Sequence, residues 1–303
     1  MKRIHKALSG LLAATMALSL AACGGSAPAS SAAASTPASS ADAASTAAPA
    51  GEVNADVQAI IDRGVLRVGV KNAVIGFGYQ DPLTNEYTGM EIDLATKLAE
   101  QLGVDVEFTT VTAATRTELL DSGDIDCVLA TFTITEERKK SWDFTTPYYT
   151  DHVTVLVEDS SNIKTLADLS GKTVGVSSGS TSARMLVEAM VEAGVLTGEG
   201  FDKETFDPAQ WTDGVSFVQY DDYPAISTAL SAGKEIQAFC VDKSILAVYK
   251  TEGRSYIDAE FAPQDYGIAT KKDSGFSAYC EDFVAACLAD GTVDGLIAEY
   301  NLG

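Results

Sequence analysis

Apolar residues along this chain fall into short unbroken runs, separated by stretches in which they recur every third or fourth position. Residues 66–70 (LRVGV) form a run of strand type. Ile92, Ala95, Leu98, Ala99 and Leu102 then recur at helical spacing, with Thr88 and Glu91 placed as a capping box and Gly103 as a stop. Residues 105–111 read as the next strand, 116–120 as a short helix and 126–131 as a buried strand. The alternation resumes with a strand at 173–176, a helix at 181–193 and a strand at 216–219. A helix at 224–232, a strand at 237–241 and a helix at 244–249 follow. The last strand is 267–269, before helices near 276–288 and 293–300. Strands separated by helical patterns of roughly 10–15 residues predict an α/β architecture with mostly parallel sheets flanked by helices. Ligands in such folds sit beyond the carboxyl ends of the strands, which directs attention to the polar residues just after each one. Residues 197–214 break the rhythm with Gly198, Gly200, Pro208 and Gly214, and are expected to be a surface insertion.

The amino terminus has a different character. Lys2, Arg3 and Lys6 precede an apolar stretch over 7–20, which at about 14 residues is too short to span a bilayer core needing about 20. Residues 1–22 therefore read as a signal peptide. Residues 24–51 are almost entirely Ala, Ser, Thr, Pro and Gly, with Asp42 the only charge. Such a segment buries too little apolar surface to offset its ordering entropy, and 23–52 is expected to be a flexible linker reaching roughly 30 Å.

Composition narrows the function. With 303 residues, 46% of them hydrophobic, the chain can bury a substantial core. Its 43 acidic residues against 21 basic ones give −22, which disfavours phosphate backbones and argues against nucleic-acid binding. Five cysteines and two histidines are too few and too scattered for a disulfide framework or a metal cluster, so no metal and no cofactor is expected. Cys127 and Cys240 lie inside strand patterns and read as small buried apolar residues. Cys280 and Cys287, seven apart on one helix, stand roughly 10 Å from each other, too far to pair.

The strand ends carry the candidate chemistry. Thr131, Thr133 and Arg138 follow the strand at 126–131, and a planar guanidinium with neighbouring hydroxyls suits a carboxylate. Residues 177–181 (SSGST) follow a strand and open a helix, where backbone N–H groups favour an anion. Asp242 follows the strand at 237–241 and offers an acceptor for an ammonium group. Arg138 and Thr181 for a carboxylate, with Asp242 for an amine, describe a site for a zwitterion.

Several longer motifs carry a resemblance. Residues 63–70 (RGVLRVGV), 89–95 (GMEIDLA), 131–138 (TFTITEER), 144–149 (FTTPYY), 168–176 (DLSGKTVGV) and 266–269 (YGIA) occur in that order. They are similar to the bacterial extracellular solute-binding proteins of the polar amino-acid ABC-transporter family, over nearly all of 59–302. The resemblance implies a two-lobed periplasmic-binding-protein-like fold, with 53–151 plus 266–303 as the first lobe and 152–265 as the second. Two crossovers near Asp151 and Asp265 would join the lobes and let a ligand be trapped between them. It also implies that Arg138 holds the ligand's α-carboxylate with help from Thr131, Thr133 and Thr181, and that Asp242 holds the α-ammonium. Residues 20–24 (LAACG) resemble the lipobox of bacterial lipoproteins, implying cleavage before Cys23, lipidation of its thiol and an extracytoplasmic protein anchored to the membrane.

Within the family the chain resembles the aspartate/glutamate-binding branch, on residues 115–116 (TR), 119–123 (LLDSG), 222–224 (DYP) and 241–246 (VDKSIL). By that resemblance Lys71 and Arg116 approach the side-chain carboxylate and Tyr223 adds a hydroxyl. A physical argument agrees. With Arg138 engaged, Lys71 and Arg116 are two further cations in a closing cleft. A cation buried without a partner costs several kcal/mol, and a second ligand carboxylate removes that cost. The expectation is thus a monomeric, non-enzymatic protein that captures glutamate or aspartate and delivers it to an ABC permease. Glutamine or another polar amino acid, and an amino-acid sensor, are the alternatives. An enzyme resembling cyclohexadienyl dehydratase fits poorly, since no histidine falls at a strand end.

Overall fold

The computed structural model describes residues 54–303. The signal peptide, Cys23 and the linker expected over 23–52 lie outside the described residues.

The chain enters through helix α1 (Ala55–Arg63) and strand β1 (Val65–Val70), whose Leu66, Val68 and Val70 are buried. Three short strands, β2 (Ala73–Val74), β3 (Gly78–Gln80) and β4 (Tyr87–Thr88), make a small antiparallel sheet before helix α2 (Met90–Leu102). Ile92, Ala95, Leu98, Ala99 and Leu102 are all buried, as their spacing predicts. The capping box does not form. Gly89 is the residue preceding the helix, with φ at 132°, and the carbonyls of Gly76 and Phe77 accept the first helical N–H groups, Met90 and Glu91, so close that a Cβ on Gly89 would lie 2.2 Å from the Phe77 carbonyl oxygen. Strand β5 (Asp105–Thr110), helix α3 (Arg116–Ser122), strand β6 (Cys127–Leu129) and strand β7 (Trp142–Phe144) complete this half.

Strand β8 (Tyr149–Glu158) then leads into a second sheet built with β9 (Lys172–Ser177), helix α4 (Ser182–Glu192), β10 (Val215–Tyr220), helix α5 (Tyr223–Ala232), β11 (Ala238–Asp242), helix α6 (Lys243–Ala247), β12 (Arg254–Tyr256) and β13 (Phe261–Tyr266). The chain returns to the first half with strand β14 (Ala269–Lys271) and helices α7 (Gly275–Ala289) and α8 (Thr292–Glu299).

The first sheet has the order β5-β1-β6-β14-β7 and the second β10-β9-β11-β8-β12, with β13 also paired to β8. Both are mixed rather than mostly parallel. Strands β5, β1 and β6, and likewise β10, β9 and β11, pair in parallel, while every pairing of β14 and of β8 is antiparallel. The antiparallel half follows from the way the chain changes sheets. β8 and β13 run side by side, with Tyr149 opposite Tyr266, Thr150 opposite Asp265 and Asp151 opposite Gln264, so the two crossovers form one ribbon. Phe77 packs edge-on against Tyr149 and Tyr266 at that ribbon, with ring centroids 5.0 and 5.7 Å away.

Residues 197–214 contain no helix or strand but are held by their own rings. Phe201, Phe206 and Trp211 lie within 6 Å of one another by centroid, and Phe206 reaches Phe217 of β10. Cys127, Cys240, Cys280 and Cys287 are buried and unpaired. Among the described residues no helix is long and apolar enough to cross a membrane.

Candidate ligand-binding site

The parallel strands of the two sheets end facing each other, and the segments beyond those ends build the site. Lys71 follows β1; Thr131 and Thr133 follow β6; Asp242 is the last residue of β11. Arg116 begins α3, Thr181 immediately precedes α4, and Tyr223 begins α5, where Asp222 caps the helix by accepting the Ala225 N–H at 2.8 Å.

Arg116, Thr131, Thr133, Arg138, Thr181, Tyr223 and Asp242 come together with Ala113, Ser180, Ser182 and Val241 around one space of about 10 Å³. That is of the order of a single water position. Lys71 stands beside this group and lines an adjoining space of about 30 Å³, with Tyr223 common to both walls. The lobes meet tightly here. Arg138 Nη1 donates to the Thr133 carbonyl at 2.7 Å on its own side, and Nη2 donates across the cleft to the Gly179 carbonyl at 3.1 Å. Gly179 has φ at 74°, and a Cβ on it would fall 2.7 Å from the Ala113 carbonyl oxygen. A mouth of about 380 Å³ opens outside Arg138, and the insertion contributes Lys203, Glu204, Phe206 and Pro208 to its wall.

Phe132 is the platform for both arginines, with the guanidinium carbon of Arg116 3.8 Å and that of Arg138 4.7 Å from its ring centroid. Arg116 Nη1 donates to the carbonyls of Ala130 (3.0 Å) and Thr131 (3.3 Å), while its buried Nε has no partner. Lys71 Nζ lies 5.4 Å from the centroid of the Tyr223 ring. Among the described residues none of these three cations forms an ion pair with an acidic side chain. Burial is therefore the first influence on each. It pushes Arg116 down to about 10 and moves Lys71 and Arg138 well below their ordinary values, with Arg116 repelling both.

The acids show the opposite displacement. Asp242 is raised to about 7, by burial first and by the charge of Asp151 second. Tyr266 opposes this by donating to Asp242 Oδ2 at 2.5 Å, and its hydroxyl also reaches Asp151 Oδ2 at 3.2 Å. Asp151 in turn accepts the hydroxyl and N–H of Ser244 and the N–H of His152. The amine-binding candidate is thus wired into the ribbon between the lobes. Thr181 spends its hydroxyl on Gln264 Oε1 of that ribbon, at 2.8 Å, rather than on capping its helix.

Three further features belong to the site, of which Ser180 falls within the stretch 177–181 that the sequence marks. Ser180 has a buried hydroxyl without a partner facing the same space. Tyr266 belongs to a recognisable motif, but nothing in that motif marks its hydroxyl. Glu91, whose spacing predicts a cap, is instead wholly buried. Its Oε1 accepts the Thr131 N–H at 2.7 Å and the Tyr148 hydroxyl at 2.6 Å, while Oε2 has no partner. Thr131 holds φ at 45°, a costly conformation for a β-branched residue, and this aims its N–H at Glu91.

The bacterial extracellular solute-binding proteins, family 3, match residues 66–303. The ABC transporter glutamine-binding protein GlnH of Bacillus subtilis (strain 168) is 32% identical over 251 residues, 80% of this chain and 83% of that protein. The glutamate-binding protein GluB of Corynebacterium glutamicum is 31% identical over 266 residues, 81% of each. A solved ancestral arginine-binding protein bound to arginine superposes with a TM-score of 0.65 and 31% identity, covering 78% of this chain and 98% of its own.

Proposed function

The chain belongs to the bacterial extracellular solute-binding proteins, family 3, and from that premise we propose that its cleft captures an acidic amino acid, glutamate or aspartate, for delivery to a membrane permease. At the coarser level it is an amino-acid-binding protein of an ABC importer, extracytoplasmic and not an enzyme. Relatives named for glutamine and for glutamate are equally similar to it, so overall identity does not choose the ligand. The charge of the site supports a choice.

The observation that carries the reading is the buried pair Lys71 and Arg116, with the half-buried Arg138 beside them, none of the three in an ion pair among the described residues. Lys71 and Arg116 are 4% and 3% exposed, and Arg138 reaches across the cleft. Two acids, Glu91 and Asp242, are buried with them. Arg138 and Asp242 are matched by the α-carboxylate and α-ammonium of the ligand itself, and Asp151 lies in the ribbon, joined to Asp242 through the Tyr266 hydroxyl. At the side-chain end, Lys71 and Arg116 set against Glu91 leave one positive charge. A side chain bearing one carboxylate brings that end of the site to neutrality, whereas glutamine leaves the surplus buried. An uncompensated buried charge costs several kcal/mol, more than the usual difference between two similar ligands.

In the proposed binding mode the ligand enters with the lobes apart, since the closed cleft has no room for it. Arg138, with Thr131, Thr133 and Thr181, takes the α-carboxylate; Asp242 takes the α-ammonium; Lys71, Arg116 and Tyr223 take the side-chain carboxylate. Bending of the β8–β13 ribbon then shuts the lobes, and the closed form is what the permease meets. Lipidation of Cys23 belongs to the same proposal, as the tether that keeps the protein near its transporter.

A second reading, glutamine, is favoured by the relatives named for it. Titration calorimetry of Arg116→Gln separates the two. The acidic reading expects glutamate and aspartate to weaken by about 100-fold, the scale of a charged hydrogen-bond partner lost in a buried site, with glutamine changed little. Equal losses for all three ligands, or a wild-type protein that binds glutamine more tightly, refute it.

A further inference from the structure

We infer that Glu91, which lies outside the proposed ligand contacts, sets how strongly the site prefers an anionic over a neutral ligand side chain. The inference rests on the reading above, in which Lys71 and Arg116 receive that side chain.

Glu91 sits in the first turn of α2, wholly buried. Its contacts tie it to the cations without touching them. Oε1 takes the Thr131 N–H, and the carbonyls of the same short segment, Ala130 and Thr131, take Arg116 Nη1. Thr131 thus presents its N–H to the acid and its carbonyl to the guanidinium. A carboxylate paired directly with Lys71 or Arg116 would occupy the donors a ligand needs. Held one residue back, its charge offsets theirs while Arg116 Nε stays without a partner and Lys71, 5.4 Å from the Tyr223 ring centroid, lines the adjoining space. Burial raises the Glu91 carboxyl, and the two cations and the two hydrogen bonds oppose that rise. Tyr148 supplies the second donor, to the same oxygen that accepts from Thr131.

The consequence is a brake on selectivity. An ionised Glu91 lessens the cost of leaving Lys71 and Arg116 without a ligand carboxylate, which helps the ligand-free protein and any neutral ligand. It also repels the carboxylate of an acidic ligand. Removing the charge while keeping the acceptor acts on both in the same direction.

Glu91→Gln does this, since its carbonyl oxygen can still accept from Thr131 and Tyr148. Affinities for glutamate and glutamine are measured by calorimetry in the wild-type and variant proteins. The ratio of the glutamine Kd to the glutamate Kd is expected to rise by about tenfold, the size of a unit-charge interaction across a partly screened interior. A ratio within twofold of wild type, with both affinities lowered together, assigns Glu91 a purely structural role and overturns the inference. Should the glutamine variant not fold, Glu91→Asp decides, because it withdraws the charge by one carbon. A shift of about threefold or more towards glutamate supports the inference, and an unchanged ratio overturns it. A wild-type protein that prefers glutamine would sink the acidic-ligand reading alone, since the direction in which Glu91→Gln moves the ratio does not depend on where it starts.

Discussion

Replacing Gly179 by alanine isolates the energetics of lobe closure. The residue has φ at 74°, and a Cβ built on it would stand 2.7 Å from the Ala113 carbonyl oxygen and 2.9 Å from the Ala114 Cα, both on the facing lobe. Two costs follow, and they fall on different equilibria. The left-handed backbone costs alanine about 1–2 kcal/mol wherever the loop keeps this conformation, open or closed, so it lowers the melting temperature and leaves affinity alone. The overlap with Ala113 exists only when the lobes meet. Because its partner is backbone and not the end of a flexible side chain, one lobe must back away by several tenths of an ångström. Overpacking of that kind costs about 1–3 kcal/mol, which is about 5- to 150-fold in Kd. The upper half of that range is expected, since the same displacement stretches the Arg138 hydrogen bond to the Gly179 carbonyl. Calorimetry against the tightest-binding amino acid gives the affinity, and small-angle scattering of the saturated variant shows whether the bound form is more open. A lowered melting temperature with unchanged affinity would refute the reasoning, because the contact would then carry backbone strain without taking part in closure.

Two further outcomes concern the amine side of the site. Asp242, raised from 3.8 to about 7, favours its protonated form in the ligand-free fold. Its contribution to stability is therefore full below about 3.8 and is lost as the pH rises through about 7, whereas an ammonium ligand needs it ionised. Affinity should climb by up to about tenfold per pH unit until about pH 7 and then level, with Asp242→Asn abolishing the slope in calorimetry; a slope that survives the substitution would place the proton elsewhere. Tyr266→Phe removes the hydroxyl facing both Asp242 and Asp151. Denaturant unfolding should show a loss of about 1.5–3 kcal/mol, the range for hydrogen bonds to charged groups, and affinity at neutral pH should fall as Asp242 becomes harder to ionise; stability equal to wild type would mean that water replaces the hydroxyl without cost.

The elements that the apolar pattern revealed are those whose surroundings are uniform along their length. β1, β5 and β6 lie in the parallel half of one sheet, β9, β10 and β11 in that of the other; the inner strands read as compact apolar runs and the edge strands β5 and β10 as alternating ones. β8 reads as neither, because its first five residues (YTDHV) pair in the ribbon and only the later ones (TVLVE) cross the covered sheet. β13 (FAPQDY) contains a proline and a register shift between Phe261 and Pro263, both of which argue against a strand when read locally. These unannounced strands are also the ones that carry the chain from one sheet to the other. Their ribbon segments mix Thr150, Asp151, His152, Gln264 and Asp265 with the buried Tyr266, so no compact apolar run marks them.

The same logic divides the site. Arg138, Asp242, Thr131 and Thr181 could be picked out because strand ends are legible and chemistry gathers there. Glu91 could not, because an acid in the first turn of a helix is ordinarily solvated and favourable beside the helix N-terminus, and nothing in the local sequence says that β3 covers that turn. Only the approach of the Phe77 carbonyl to Gly89 shows that the turn faces inwards. A buried acid must then find donors, and it finds them in Thr131 and Tyr148, residues 40 and 57 positions away. Long-range pairing of this kind leaves no periodic trace. It does leave a strained backbone, since Thr131 adopts φ of 45° to deliver its N–H. Strain at a residue that also lines the cleft is tolerable only if the geometry it enforces is needed, and what it enforces is a carboxylate held close to two cations without neutralising either.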